Sequence, residues 1–128
     1  MELKILSIIE EFSKNEAVEF FLGDYGDFDK FAYLCAKKYQ KNHTDVKLVF
    51  VTPYIDESYL KQREDRFDET LFPDLESIPY KLRILKRNEY MIDKTDLVIA
   101  YVTDKKVGGS YKILEYAKRK SKNIINLA

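Results

Sequence analysis

Two stretches of the chain, Val46-Lys-Leu-Val-Phe-Val51 and Leu97-Val-Ile-Ala-Tyr-Val102, are almost wholly apolar and do not alternate polar with apolar. A strand wet on one face alternates. A run that does not must be covered on both faces, as in parallel sheets packed between helices. Further short runs rich in β-branched and aromatic residues lie at Ala17–Leu22, Glu69–Phe72 (the weakest) and Asn123–Leu127. Helical patterns fill the intervals. Residues 2–14 place Leu3, Ile5, Leu6, Ile9 and Phe12 on or near one stripe, and residues 30–41 are expected to bury Phe31, Leu34 and Cys35 behind an Asp29 N-cap. Residues 80–94 space Ile84, Leu85, Met91 and Ile92 helically, as residues 110–121 do Ile113, Leu114 and Ala117. The order is helix, strand, helix, strand, short helix, strand, helix, strand, helix, strand. That predicts an α/β fold, a three-layer sandwich on a mainly parallel five-stranded sheet. The only irregular stretch, Pro53–Pro79, holds all three prolines and reads as a loop with a short helix near Glu57–Arg66.

The 128 residues suffice for one domain and are short for two. No apolar run approaches the ~20 residues of a membrane span, and the N-terminus has no basic region leading into a long apolar stretch. The expectation is a cytoplasmic protein without membrane contact. Cys35 and His43 are the only residues of their kinds. A disulfide within the chain is therefore excluded, and zinc sites built on His and Cys are disfavoured. Cys35 reads as an inert core thiol and His43 as a solvated loop residue. No metal site or cofactor is expected. Net charge is zero, with −7 on residues 1–78 and +7 on residues 79–128. Zero net charge argues against general nucleic-acid binding, while the basic last third suits a small anionic ligand.

In open parallel sheets, ligands bind at the carboxyl ends of the strands. The unusual residues of this chain cluster at those ends. Gly23-Asp-Tyr-Gly-Asp-Phe-Asp29 follows the first strand, Thr52-Pro-Tyr-Ile-Asp56 the second, and Thr103-Asp-Lys-Lys-Val-Gly-Gly-Ser110 the fourth. Gly108, Gly109 and Ser110 directly precede a helix, whose free N–H groups and dipole favour a phosphate or carboxylate. A loop with a Ser N-cap would read the same way. Asp24, Asp27 and Asp29 could hold Mg²⁺ or ribose hydroxyls, or serve only turns and a cap. Tyr25 and Tyr54 stand where a base could stack. Asn88 lines up with Ile84, Leu85, Met91 and Ile92, so it is expected to face the sheet. Arg87 borders that face, either as a phosphate clamp or as a solvated surface arginine. On either reading, replacing Arg87 should leave folding nearly untouched. Gly23–Asp27, Pro53, Tyr54, Arg87, Asn88 and Gly108–Ser110 are therefore the candidate ligand site, expected to meet at one cleft.

The segment Arg87-Asn-Glu-Tyr-Met91-Ile-Asp-Lys-Thr-Asp96-Leu-Val-Ile-Ala100, followed by Gly108-Gly109, resembles the SLOG superfamily of Rossmann-like nucleotide-binding proteins. Within it the likeness is nearest to the small branch that includes the YpsA-like proteins. Gly26-Asp-Phe-Asp29 and Thr52-Pro53-Tyr54 resemble two earlier loop motifs of that branch, and the likeness spans roughly residues 15–128. It implies a Rossmann-like fold and a nucleotide or nucleotide-derived ligand. It also implies that the family's first strand, with its Gly-His-Arg-like turn, is missing here, because the chain is shortened or its natural start lies upstream.

Arg87, Met91 and Asp96 also match the spacing of the Lonely Guy phosphoribohydrolases, which cleave the N-glycosidic bond of nucleoside monophosphates. In their next motif Gly108 and Gly109 agree. The third glycine falls on Tyr111, the threonine on Lys112, and the catalytic glutamate on Leu114 or, one residue later, Glu115. One residue on a helix is ~100° of rotation, and an oxocarbenium-like transition state needs its carboxylate closely placed. Glu115 is thus the one catalytic candidate, and it reads equally as a solvated helix residue. Three functions remain open: a binding module for a nucleotide-derived ligand, a hydrolase of nucleoside monophosphates, and an oligomeric structural protein with a vestigial pocket. The helix at 2–14, with Leu3, Ile5, Leu6, Ile8, Ile9 and Phe12, has more apolar surface than one sheet face covers, which predicts a homodimer through it.

Overall fold

Strand β2 (Val46–Val51) is the middle of a three-stranded parallel sheet, ordered β1-β2-β3 with β1 at Val18–Leu22 and β3 at Glu69–Leu71. Leu48, Val49, Phe50 and Val51 are essentially sealed from solvent, as a strand covered on both faces requires. The computed structural model describes residues 1–14, 16–24, 26–103 and 108–128. The chain divides into two units, Met1–Leu71 and Phe72–Ala128. Among the described residues no helix is long and apolar enough to cross a membrane.

In the first unit, helix α1 (Glu2–Ser13) precedes β1, α2 (Asp27–Lys41) joins β1 to β2, and α3 (Glu57–Lys61) with a 3-10 turn at Glu64–Arg66 joins β2 to β3. Helix α1 packs on α2, tied by the Glu2–Lys38 ion pair and by the Ser13 hydroxyl against the Tyr39 hydroxyl at 3.0 Å. The amide of Leu48 donates to Asp68 Oδ2 at 2.8 Å, and the amide of Asp68 returns a bond to the Leu48 carbonyl at 2.9 Å. Those bonds lock the entry of β3 beside β2. The Leu48 amide holds the Asp68 carboxyl below its ordinary range, and the Gln40 side-chain amide adds to the effect.

The phase of α2 differs from expectation. Its N-cap is Gly26, so the helix starts three residues ahead of the predicted 30–41, and Asp29 lies inside the first turn rather than at the cap. The buried stripe is Cys35, Ala36 and Tyr39. Leu34 sits ~100° from Cys35 and is 62% exposed. Burial raises the Cys35 thiol pKa, with the Glu2 charge adding to it, as befits an inert thiol. His43 is not a free loop residue. Its ring stacks on Tyr39 at 3.8 Å, and its Nδ1 lies 2.9 Å from the Tyr39 carbonyl.

In the second unit a 3-10 turn (Tyr80–Leu82) opens into α4 (Arg83–Lys94), followed by β4 (Leu97–Ala100), α5 (Gly109–Arg119) and β5 (Asn123–Asn126). β4 and β5 pair in parallel, Leu97 opposite Asn123 through Ala100 opposite Asn126. The Asn126 side chain continues the ladder, accepting from the Val102 amide and donating to the Val102 carbonyl, both at 2.9 Å. Helices α4 and α5 pack together, and Tyr116 on α5 donates to Asp93 on α4 at 2.7 Å. Lys122 Nζ donates to the carbonyls of Asp93 and Thr95, satisfying the C-terminal end of α4 where a cation is favoured.

The α/β alternation and the parallel strands are as the sequence predicts. Where the sequence predicts one five-stranded sheet, the hydrogen bonding among the described residues gives three strands in one sheet and two in another. The unbroken apolar run of β2 marks a strand covered on both faces, but that of β4 does not: Leu97–Ala100 is half-buried throughout and Tyr101, past the end of the strand, is 45% exposed. Neither run reports which strand it pairs with.

Candidate functional site

Two of the strand-to-helix turns end alike. Gly26 caps α2 with φ 104° and ψ 171°, and Gly108 caps α5 with φ 96° and ψ 173°. This backbone region is all but closed to residues with a Cβ. A side chain that could cap the helix is therefore given up at both places, and neither helix has a side-chain cap hydrogen bond. The two ends differ in charge. Asp27 and Asp29 stand in the first turn of α2, where they offset its positive end. The first turn of α5 has no acidic residue, and Gly108, Gly109 and Ser110 are exposed. Ser110 lies within the helix and is not its cap.

In the first unit Gly23 is buried just past β1. Asp24 Oδ2 accepts from Arg63 Nε at 2.8 Å and from Arg66 Nη2 at 2.9 Å, with its side chain 16% exposed. Asp24 is thus committed to an ion-pair cluster and is not held open for magnesium or ribose. The Arg63 guanidinium lies over the Tyr59 ring at 3.8 Å and also donates to the Tyr59 carbonyl at 3.0 Å. Past β2, Thr52 and Pro53 are buried, and the Thr52 hydroxyl bonds both the carbonyl of Tyr54 (2.7 Å) and its amide (3.2 Å). That turn sets the half-buried Tyr54 ring edge-on to Tyr59 at 5.2 Å. Tyr25 lies outside the described residues.

Arg87, in the second unit, is neither a rim residue nor a solvated one. It is 2% exposed, and its Nε donates to Asn88 Oδ1 at 2.8 Å. Asn88, expected on the inner face, is only half-buried. Helical phasing assumes that charge faces water, and here the arginine takes the buried position. Glu115 is half-exposed and pairs with Lys118 at 3.2 Å. It lines an open groove of about 380 Å³ between α4 and α5, with Leu85, Glu89, Tyr111, Lys112 and Arg119 among its neighbours.

The candidate residues fall on both units: Gly23, Asp24, Gly26, Asp27, Pro53 and Tyr54 on the first, Arg87, Asn88, Gly108, Gly109, Ser110 and Glu115 on the second. The structure joins Asp24 to Arg63 and Arg66, Tyr54 to Tyr59, and Arg87 to Asn88. Sequence reasoning missed Arg63, Arg66 and Tyr59. The one signal for them is a pair of arginines inside the acidic stretch 53–79. Among the described residues no group of three His, Cys, Asp or Glu side chains is disposed to hold a metal ion.

No protein-family profile matches the chain. No solved structure matches it. Among curated proteins it is similar to an uncharacterized SPbeta prophage-derived protein, YoqJ, of Bacillus subtilis strain 168, with 27% identity over 91% of this chain and 79% of that protein.

Proposed function

We propose that the chain is a Rossmann-like protein of SLOG type that binds a nucleotide or nucleotide-derived ligand at the carboxyl ends of parallel strands, without transforming it. The observation behind this reading is the paired glycine caps. Gly26 and Gly108 share one conformation, and each leads from the end of a parallel strand into a helix with no side-chain cap hydrogen bond. The α5 turn suits the anionic part of the ligand better, because Asp27 and Asp29 already offset the start of α2. A lone, buried Cys35 fits a reducing cytoplasm.

The test is a thermal-shift and calorimetry series with nucleoside mono-, di- and triphosphates, dinucleotides and cyclic nucleotides. A ligand at 100 times its Kd stabilises by about 2.7 kcal/mol. The expected result is at least one stabilising nucleotide whose effect Gly108→Ala weakens. No shift from any of them, at millimolar concentration, overturns the reading.

One observation favours a hydrolase instead: two carboxylates, Glu89 and Glu115, line the same groove. Its signature would be free base and ribose 5-phosphate released from nucleoside monophosphates, abolished in Glu115→Gln. The preferred reading expects no release above background. We further infer a homodimer through α1, on the exposure of Met1 and Phe12.

A further inference from the structure

Two guanidinium groups of the first unit converge on one carboxylate oxygen. Arg63 Nε and Arg66 Nη2 both donate to Asp24 Oδ2, at 2.8 and 2.9 Å. Asp24 lies just past β1, whose carboxyl end belongs to the sheet edge where open α/β proteins place ligands. The two arginines are braced by aromatic rings. Arg63 lies on Tyr59 at 3.8 Å, and Arg66 stands 5.5 Å from Phe67 and 5.8 Å from Tyr33. The Tyr33 hydroxyl also donates to the Arg66 carbonyl at 3.0 Å, fixing that turn of backbone.

The cluster is incompletely satisfied. Two cations share one anion, and both forks compete for a single oxygen. Arg66 Nε is buried and has no hydrogen-bond acceptor among the described residues. A buried donor without an acceptor costs free energy, and a guanidinium fork is best met by two oxygens. A tetrahedral phosphoryl group has three oxygens and up to two negative charges. It can offer each arginine its own oxygens.

We propose that Arg63 and Arg66 form a phosphoryl-binding site in which Asp24 is the resident counter-anion that the ligand's phosphoryl group displaces. The site is built from residues of the first unit alone and does not depend on the reading given for the α5 turn. The pair is held by ring contacts and by the Tyr59 and Tyr33 bonds, so it keeps its shape when the carboxylate leaves. The swap replaces one shared oxygen by several, and its net gain is small because Asp24 competes. That competition gives the proposal its distinguishing test.

Wild type, Asp24→Asn, Arg63→Ala, Arg66→Ala, Arg66→Lys and Gly108→Ala are titrated calorimetrically with inorganic phosphate, ribose 5-phosphate and adenosine monophosphate, against chloride at matched ionic strength. Asp24→Asn should bind phosphoryl groups about tenfold tighter than wild type, one charge-assisted contact's worth of lost competition. Either alanine variant should bind inorganic phosphate about tenfold more weakly, Arg66→Lys should also weaken it because the fork is lost, and the same changes should appear in a Gly108→Ala background, since they do not run through the α5 turn. If inorganic phosphate binds as tightly as the esters, the site takes the free anion; if the esters bind tighter, it takes a phosphate monoester. The proposal is overturned if Asp24→Asn binds no tighter, or if binding survives both alanine variants. Should Asp24→Asn not fold, unchanged affinity in Arg66→Lys overturns it equally. Loss of binding in Gly108→Ala alone would place the anion at the α5 turn, sinking this proposal and sustaining the other.

Discussion

Gly26 and Gly108 hold one backbone conformation, φ 104° with ψ 171° and φ 96° with ψ 173°, at the same point of two strand-to-helix turns. No atom lies within 4 Å of a Cβ built at either. Crowding therefore does not exclude a side chain; the dihedral angles do. Glycine at both places gives up a capping side chain, and neither helix has a side-chain cap hydrogen bond.

Gly26→Ala and Gly108→Ala should each destabilise by roughly 1–3 kcal/mol, the cost of holding a residue with a Cβ in that region. Gly109→Ala is the control. Gly109 is a helix residue with no atom within 4 Å of its built Cβ, so alanine there should be neutral or stabilising. Urea denaturation of the three variants checks the ranking. Equal, negligible effects would show that the turns relax freely.

Arg87→Ala should destabilise by about 2 kcal/mol or more, against the expectation from sequence that folding would be untouched. Arg87 is 2% exposed, and its loss removes a packed aliphatic stem and the donor that Asn88 Oδ1 accepts from at 2.8 Å. Any ligand titration of this variant must be read beside its melting curve. A midpoint equal to wild type would return Arg87 to the surface.

The elements were legible because burial writes itself into spacing. All five predicted strands appear, each starting within a residue of its predicted position, and β2 is sealed along the run that lacks alternation. Pairing was not legible. Leu97–Ala100 bonds with Asn123–Asn126, while β1, β2 and β3 form their own sheet, and no residue in any run names its neighbour. The site was legible where the backbone dictates the residue, at Gly26 and Gly108, because few residues other than glycine tolerate those angles. It was illegible where charge is buried. The Asp24, Arg63 and Arg66 cluster joins partners about 40 residues apart, Arg87 takes a buried position on its helix, and a pattern that assigns charge to solvent finds neither.

Tyr116 should be among the last of the ten tyrosines to ionise. Its hydroxyl donates to Asp93 at 2.7 Å, and that bond, with burial and the Asp93 charge, pushes its pKa up to about 12. A folded pKa above the unfolded value of about 10 means the bond's stabilisation is complete below pH 10. It is lost as the pH rises through about 12. Spectrophotometric titration of tyrosinate should show a high transition that Tyr116→Phe removes and Asp93→Asn shifts down. If Tyr116→Phe leaves the high end of the curve unchanged, the α4–α5 bond is absent in solution.

The last prediction concerns α1. Ile5 and Ile9 are buried within the chain, yet Leu3 is 79% exposed and Phe12 48% exposed. Leu3 and Phe12 lie nine residues apart, so they flank the buried stripe on opposite sides and cannot form one patch. Met1, Ile8 and Phe12, in contrast, fall within an arc of about 40° at 100° per residue, and all three are exposed or half-exposed. Their spacing of seven and four residues is that of a helix seam, which a second copy of α1 could meet in antiparallel fashion about a two-fold axis. Light scattering at micromolar concentration should give twice the chain mass of 15.2 kDa. Phe12→Glu should return the monomer mass with little change in the melting midpoint, since Phe12 is half in water already. Leu3→Glu, on the other flank, should leave the dimer intact. A wild-type mass equal to one chain rejects the dimer. Dissociation by Leu3→Glu instead of Phe12→Glu would keep the dimer and move its seam to the opposite side of α1.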